Sequence, residues 1–161
     1  MSKLVGGLNT AKPVIDKRLF NKLVLLTTVE LKDTIIRVLN LGFWGIAEQL
    51  DSEGMLIDIP RVNCIVTLDG SFSIILDEEQ QGCHMSLVIY PIQKWENANY
   101  TELKMLTCVV EELCHHFWNI EDEVKVSYKV LEVIRRIFPY KDVKMANLFN
   151  IKWLEEQNKG K

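Results

Sequence analysis

The feature that most constrains the fold is a change in the spacing of apolar residues along the chain. Between Met55 and Pro91 β-branched residues are dense, and over Val62–Leu68 apolar and polar residues largely alternate. From Tyr100 onwards apolar residues recur at every third or fourth position: Leu103, Leu106, Val109, Val110, Leu113 and Phe117. Alternation is the pattern of a half-buried strand, and the longer period is that of an amphipathic helix. The sequence therefore predicts a β region followed by helices.

Three strands are predicted in that β region. Asp69-Gly70 is a strong turn signal between Val62–Leu68 and Ser71–Leu76, and His84–Tyr90 gives a third strand that Pro91 ends. Because strands joined by a tight turn pair antiparallel, we expect a small, mostly antiparallel three-stranded sheet.

Helices are predicted on both sides of the strands. The first helical region runs from about Asp16 to Asn40, and Gly42 follows it as a stop signal. After the helix that begins at Tyr100, a second one runs from about Glu121 to Phe138, and a short one lies near Val143–Gln157. Strands that are grouped between helices favour an α+β fold. We expect N-terminal helices, then the sheet, then two or three C-terminal helices.

Length and charge narrow the range of functions. The 161 residues predict a single domain over 1–161, with 1–12 as a flexible N-terminus. The net charge of −3 and the scattered lysines and arginines argue against a nucleic-acid partner, and no apolar stretch approaches membrane-spanning length. The four cysteines form no CxxC pair, and the N-terminus lacks the apolar run of a secretory signal. We therefore expect reduced thiols and a cytoplasmic protein.

The only concentrated site chemistry lies on the predicted helix that begins near Tyr100, at Glu111, Glu112, His115 and His116. Glu111 and His115 are four residues apart and Glu112 and His115 three apart, so their side chains are neighbours on the helix surface. Carboxylate oxygens and neutral imidazole nitrogens are good ligands for zinc and other first-row divalent metals. An ordinary polar face, with histidines in the last turn of a helix, explains the same residues without a metal.

Three acids open the next predicted helix: Glu121, Asp122 and Glu123. A short helical hairpin would bring one of them back towards His115 and complete a ligand set. Acids in the first turn of a helix also complement the helix dipole, which is the alternative explanation.

The stretch Val109–Phe117 resembles the metal-binding helix of zincin metallopeptidases, whose motif is His-Glu-x-x-His, and Glu123–Pro139 is similar to the helix that carries their third ligand. The best comparison is with the minimal zincins that cleave phage repressors in the cytoplasm. The resemblance implies a small antiparallel sheet before the helix and a metal-dependent peptidase with a protein or peptide substrate. It also implies that Glu112 is the general base and His115 a metal ligand.

The sequence departs from that motif at the first ligand position, where Glu111 stands instead of histidine. The resemblance then implies a carboxylate-rich site of Glu111, His115 and either Glu121 or Glu123, which would hold zinc or another divalent metal. Such a site favours harder metals and makes bound water less acidic. The other alternative is a degenerate, inactive site.

A non-catalytic interaction domain is the competing hypothesis. The same α+β scaffold would act by contact, as a phage or mobile-element protein or as a homo-oligomer, with the four tryptophans contributing to an interface.

Two further candidate sites are weaker. Cys83-His84 is a dipeptide that commonly occurs without a metal, and Cys114, a candidate thiol nucleophile beside His115, lies towards the apolar side of its helix.

Overall fold

The computed structural model describes residues 3–7 and 11–159, and the α+β class is confirmed within them. Strands and helices come in a mixed order along the chain, with a short 3-10 helix at Lys17–Leu19. The strands are β1 (Lys3–Val5), β2 (Leu23–Thr27), β3 (Val62–Thr67), β4 (Ser73–Ile75) and β5 (Leu87–Pro91). The helices are α1 (Asp33–Ser52), α2 (Ile92–Asn97), α3 (Glu102–Phe117), α4 (Glu123–Ile137), α5 (Met145–Leu148) and α6 (Ile151–Lys159).

The main sheet has the order β2-β3-β5, and both of its neighbouring pairs are parallel. The expectation of a mostly antiparallel sheet is therefore wrong. The turn at Asp69-Gly70 does form, with Gly70 at a φ of 101° and its N–H bonded to the Thr67 hydroxyl at 2.7 Å. It does not join a hairpin, because β2 and β5 occupy both edges of β3. β4 instead pairs antiparallel with β1.

The N-terminal third differs from its prediction. Leu23–Thr27 is a strand of the main sheet, with Leu23, Leu25 and Thr27 buried, so the helix predicted from Asp16 is wrong in its first half. The Thr27 hydroxyl donates to the Val29 carbonyl at 2.6 Å in the turn that follows the strand. The N-terminal stretch 1–12 lies partly outside the described residues, and within it Lys3–Val5 form β1.

Gly42 lies inside α1 and does not end it. A Cβ atom built at Gly42 would lie 2.7 Å from a methyl group of Val109 on α3, and one at Gly45 would lie 2.5 Å from Ile137 on α4. Both distances are far below ordinary contact, so α1 depends on these two glycines for its close packing. The result is a layer in which α1 is packed tightly against both α3 and α4.

The two long C-terminal helices are confirmed. α3 begins two residues later than predicted, because the Thr101 hydroxyl accepts the Lys104 N–H at 3.2 Å and caps it. α4 begins after Asp122, whose carboxylate accepts the Lys125 N–H at 2.9 Å. The buried Tyr90 hydroxyl of β5 donates to the Val109 carbonyl of α3 at 3.0 Å and fixes this helix beside the sheet. Among the described residues, no helix combines the length and the apolar character needed to cross a membrane.

Candidate metal centre

Side chains from α3 and α4 converge at Glu111, His115 and Glu123. One potential ligand atom from each lies within 4.8 Å of the other two, and all three residues are partly buried. The His115 Nε2 atom lies 3.7 Å from a Glu123 carboxylate oxygen. Two ligands at zinc distances of about 2.0–2.2 Å lie about 3.4 Å apart in a tetrahedral site. The cluster therefore has nearly the spacing that a small divalent cation requires.

The His115 ring is oriented by a backbone contact. Its Nδ1 atom lies 2.5 Å from the carbonyl oxygen of Ile120. A carbonyl oxygen can only accept a hydrogen bond, so in the neutral ring Nδ1 carries the proton and Nε2 keeps its lone pair. That lone pair is on the side of Glu123, and the 3.7 Å separation is too long for a hydrogen bond between them. Metal-binding histidines characteristically donate one ring N–H to a carbonyl or carboxylate oxygen and bind the metal through the other ring nitrogen.

The carboxylates of the cluster have perturbed protonation. The pKa of Glu111 is raised to about 7, chiefly because the carboxyl group is buried; Lys104 and His115 oppose this shift, and the charges of Glu112 and Glu123 add to it. The pKa of Glu112 is also raised, chiefly because protein atoms limit the hydration of its carboxyl group. Burial and neighbouring negative charge therefore make the ionised forms of these two carboxyl groups less favourable than they are in water.

The turn between the two helices decides which acid joins the cluster. Trp118 is the C-cap of α3, Asn119 adopts a positive φ of 50°, and Asp122 caps α4. Glu123 is then the first residue of α4 and its carboxylate reaches the cluster. Glu121 is exposed and lines the neighbouring cleft instead. Of the two acids that the sequence left open, the structure brings Glu123 to His115.

A cleft of about 460 Å³ adjoins the cluster. Its walls come from the beginning of β5, with Ser86–Val88, and from the last turns of α3, with Glu112, His115 and His116. Glu112 is exposed and faces this cleft next to His115. The Glu112 carboxylate and the His115 imidazole therefore border the same cleft.

The remaining sequence candidates lie outside the cluster. His116 bonds through Nε2 to the Arg61 carbonyl at 3.3 Å, and burial lowers the pKa of its ring. Cys83 and His84 are exposed and line a separate cleft of about 520 Å³. Cys114 is fully buried, and burial raises the pKa of its thiol well above the ordinary value, which makes it a core residue and a poor nucleophile.

One functional group of the site is not visible in the sequence. The Ile120 carbonyl orients His115, yet any residue type at position 120 would supply the same oxygen. No residue pattern could have indicated it, because the contact depends on the geometry of the turn.

Comparisons with known proteins add no family to these observations. A scan against protein-family models, a search of curated proteins and a search of solved structures each give no match.

Proposed function

We propose that this protein holds a divalent metal ion between Glu111, His115 and Glu123 and uses it to hydrolyse amide bonds in a protein or peptide. The observation that carries the proposal is the bond between His115 Nδ1 and the Ile120 carbonyl. It leaves Nε2 as a lone-pair donor beside the Glu123 carboxylate, in a cluster that also contains Glu111, whose carboxyl group is kept partly protonated by burial. An ordinary surface pair of a glutamate and a histidine needs no such orientation.

The chemistry divides between the cation and the protein. A bound divalent metal polarises a carbonyl group and lowers the pKa of water. Glu112, exposed in the cleft beside His115, is the group that would take a proton from the attacking water and return it to the leaving amine. Its raised pKa makes it a stronger base than an ordinary glutamate.

The ligand set bears on the identity of the metal. Two carboxylates and one imidazole neutralise a divalent charge more fully than three imidazoles do, which favours harder metals and a less acidic water. Zinc and manganese are therefore the first ions to test. The resemblance to zincin metallopeptidases is limited to Glu112, His115 and the helix that carries them. The parallel sheet departs from the antiparallel sheet that the resemblance implies.

A peptide substrate is supported by the position of β5. This strand lies at the end of the main sheet, and Ser86–Val88 line the cleft that also contains Glu112. An outer strand presents backbone N–H and C=O groups that an extended peptide can pair with. The scissile bond of such a peptide would lie next to the carboxylate.

The experiment combines metal content with turnover. Elemental analysis of the purified native protein should find about one divalent metal ion per chain, and H115A should lose it. H84A is the matched control, because His84 is an exposed histidine outside the cluster. The wild type should cleave a mixed library of fluorogenic peptides, and E112Q should cleave it at least about 100-fold more slowly. Native protein that contains no divalent metal would contradict the proposal, and so would bound metal that H115A retains in full.

A second candidate function, contact with a partner protein without catalysis, is favoured by apolar side chains on the surface. Leu87 and Ile89 of β5 are 39% and 36% exposed, and Trp44 and Trp153 are 39% and 38% exposed. Single exposed apolar residues are normal in proteins. Exposure alone therefore does not decide between the two candidate functions, and the oligomeric state is the better test. A wild-type dimer that dissociates in the double variant L87S/I89S would favour the interaction protein.

A further inference from the structure

The carboxylate of Glu53 connects to both helices of the metal cluster. Glu53 is the C-cap residue of α1. One of its oxygens accepts a hydrogen bond from the indole N–H of Trp118 at 2.6 Å, and the other accepts one from the Lys129 ammonium at 2.8 Å. Trp118 directly follows α3, and Lys129 lies on α4. One side chain thus holds the two sides of the turn that separates His115 from Glu123.

Further contacts hold this carboxylate in place. The Gln49 amide donates to Glu53 at 2.5 Å, and its own oxygen accepts from Arg136 of α4 at 2.8 Å. The Lys129 ammonium also lies 5.3 Å from the centre of the Trp118 ring. The side chains of Glu53 and Lys129 are only 27% and 18% exposed. Partial burial raises the pKa of Glu53, but the bonds from Lys129, Trp118 and Gln49 lower it below its ordinary value.

The turn itself has little regular structure to fix its shape. The backbone N–H of Trp118 donates to the Cys114 carbonyl, and the backbone N–H of Ile120 donates to the His115 carbonyl at 3.2 Å. Asn119 adopts the left-handed conformation between them. A displacement of Trp118 would therefore move the Ile120 carbonyl that orients the His115 ring, and would move Glu123 relative to that ring.

We infer that Glu53 is a positioning residue of the metal centre: by holding Trp118 and Lys129 together, it sets the spacing between His115 and Glu123. Glu53 acts through these two residues and is not a ligand. The inference rests on the proposed metal site. It goes beyond that site in assigning a role to the end of α1, which supplies none of the three candidate ligands.

A purely structural role is the alternative, since the same contacts add stability to the helical layer. The Arg37–Glu102 ion pair offers a matched comparison. Arg37 of α1 bonds to Glu102 of α3 at 2.5 Å and 3.1 Å, at the opposite end of α3 from the cluster. R37A removes a link between α1 and α3 without touching the turn, so it reports what a loss of helix packing alone does.

The experiment measures zinc affinity by competition with a chromophoric chelator, and Co²⁺ absorption as a signature of ligand geometry. E53A should bind zinc about tenfold more weakly, the lower end of the range for residues that orient ligands, and should alter the Co²⁺ spectrum. W118F removes one hydrogen bond and should weaken binding about fivefold. R37A should stay within about twofold of the wild type, since its contacts are remote from the ligands.

The outcomes separate this inference from the proposed function. Wild-type affinity and spectrum in both E53A and W118F would overturn it, and so would an equal loss in R37A. If E53A fails to fold, W118F decides. If the wild type binds neither metal, the proposed function fails. Imidazole ¹⁵N shifts of metal-free protein then decide the positioning role, which requires that E53A or W118F disturb the protonated Nδ1 of His115.

Discussion

Two clusters in this protein each gather three carboxylates, and they differ in the source of the positive charge. In the first, the Arg18 guanidinium bonds to Asp16 at 2.9 Å, to Glu48 at 2.7 Å and to Asp51 at 3.2 Å. Hydrogen bonding to Arg18 lowers the pKa of Asp16, and bonding to Asp16 raises the pKa of Arg18. The chain itself completes this cluster electrostatically.

In the second cluster, Glu111, Glu112 and Glu123 surround His115, and the pKa values of Glu111 and Glu112 are raised instead of lowered. Among the described residues, no lysine or arginine forms an ion pair with any of these three carboxylates, as Arg18 does with those of the first cluster. The comparison teaches that grouped carboxylates alone do not define a cation site. The second cluster differs in having an imidazole that is oriented by a backbone carbonyl, with its Nε2 atom on the side of Glu123.

The largest effect is expected at Glu123, the candidate ligand that α4 contributes to the cluster. E123Q should weaken zinc binding by at least about 100-fold, since it removes a charged ligand and not merely a residue that orients one. E121Q, two residues away and exposed, should bind as the wild type does. Zinc titration against a competing chelator measures both. Equal losses in the two variants would mean that general negative charge, and not a ligand set, attracts the metal.

Removal of the Arg18 guanidinium is expected to have the next largest effect, this time on stability. R18A leaves three carboxylates facing one another and should lower the free energy of unfolding by about 1–3 kcal/mol, between the values for exposed and buried pairs. The neighbouring exposed Lys17 is the control, and K17A should change the free energy of unfolding by less than about 0.5 kcal/mol. Urea unfolding provides the measurement. A neutral R18A would show that the first cluster gains nothing from its guanidinium.

A smaller effect concerns pH and has opposite signs in the two clusters. Because the pKa of Glu111 is raised to about 7, its contribution to the stability of metal-free protein is complete below its ordinary value of 4.5 and is lost as pH rises through 7. The pKa of Asp16 is lowered, so its contribution is present above 3.8 and is lost as pH falls below that value.

The variant E111Q tests the pH-dependent contribution of Glu111 to stability, because glutamine does not titrate. In the presence of a chelator, the Tm of the wild type should fall relative to that of E111Q as pH is raised from about 5 to about 8. A Tm difference that does not change over this range would contradict the raised pKa of Glu111.

The helices that carry the candidate site follow from the sequence because their apolar residues recur over four turns or more. α3 and α4 differ from their predicted bounds by only two residues at the start, and by one at the end of α4. The same spacing places Glu111, Glu112 and His115 near one another, since residues three and four apart on a helix are neighbours.

The sheet could not be predicted in the same way. Leu23–Thr27 is almost uniformly apolar, so its period gives no sign of a strand, and Gly42 looks like a stop signal until the contact with Val109 is known. The turn residues Asp69-Gly70 specify a local bend but not the partner of β4. Strand direction and the choice between Glu121 and Glu123 depend on tertiary packing, which local sequence does not encode.

The most direct test of the central claim is a zinc titration of metal-free, ¹⁵N-histidine-labelled protein at neutral pH. The Nε2 resonance of His115 should shift and reach its end point at about one zinc per chain, while Nδ1 stays protonated against the Ile120 carbonyl. The resonances of His84 should not change. A His115 spectrum that does not respond to zinc, or a response at His84 instead, would contradict the claim.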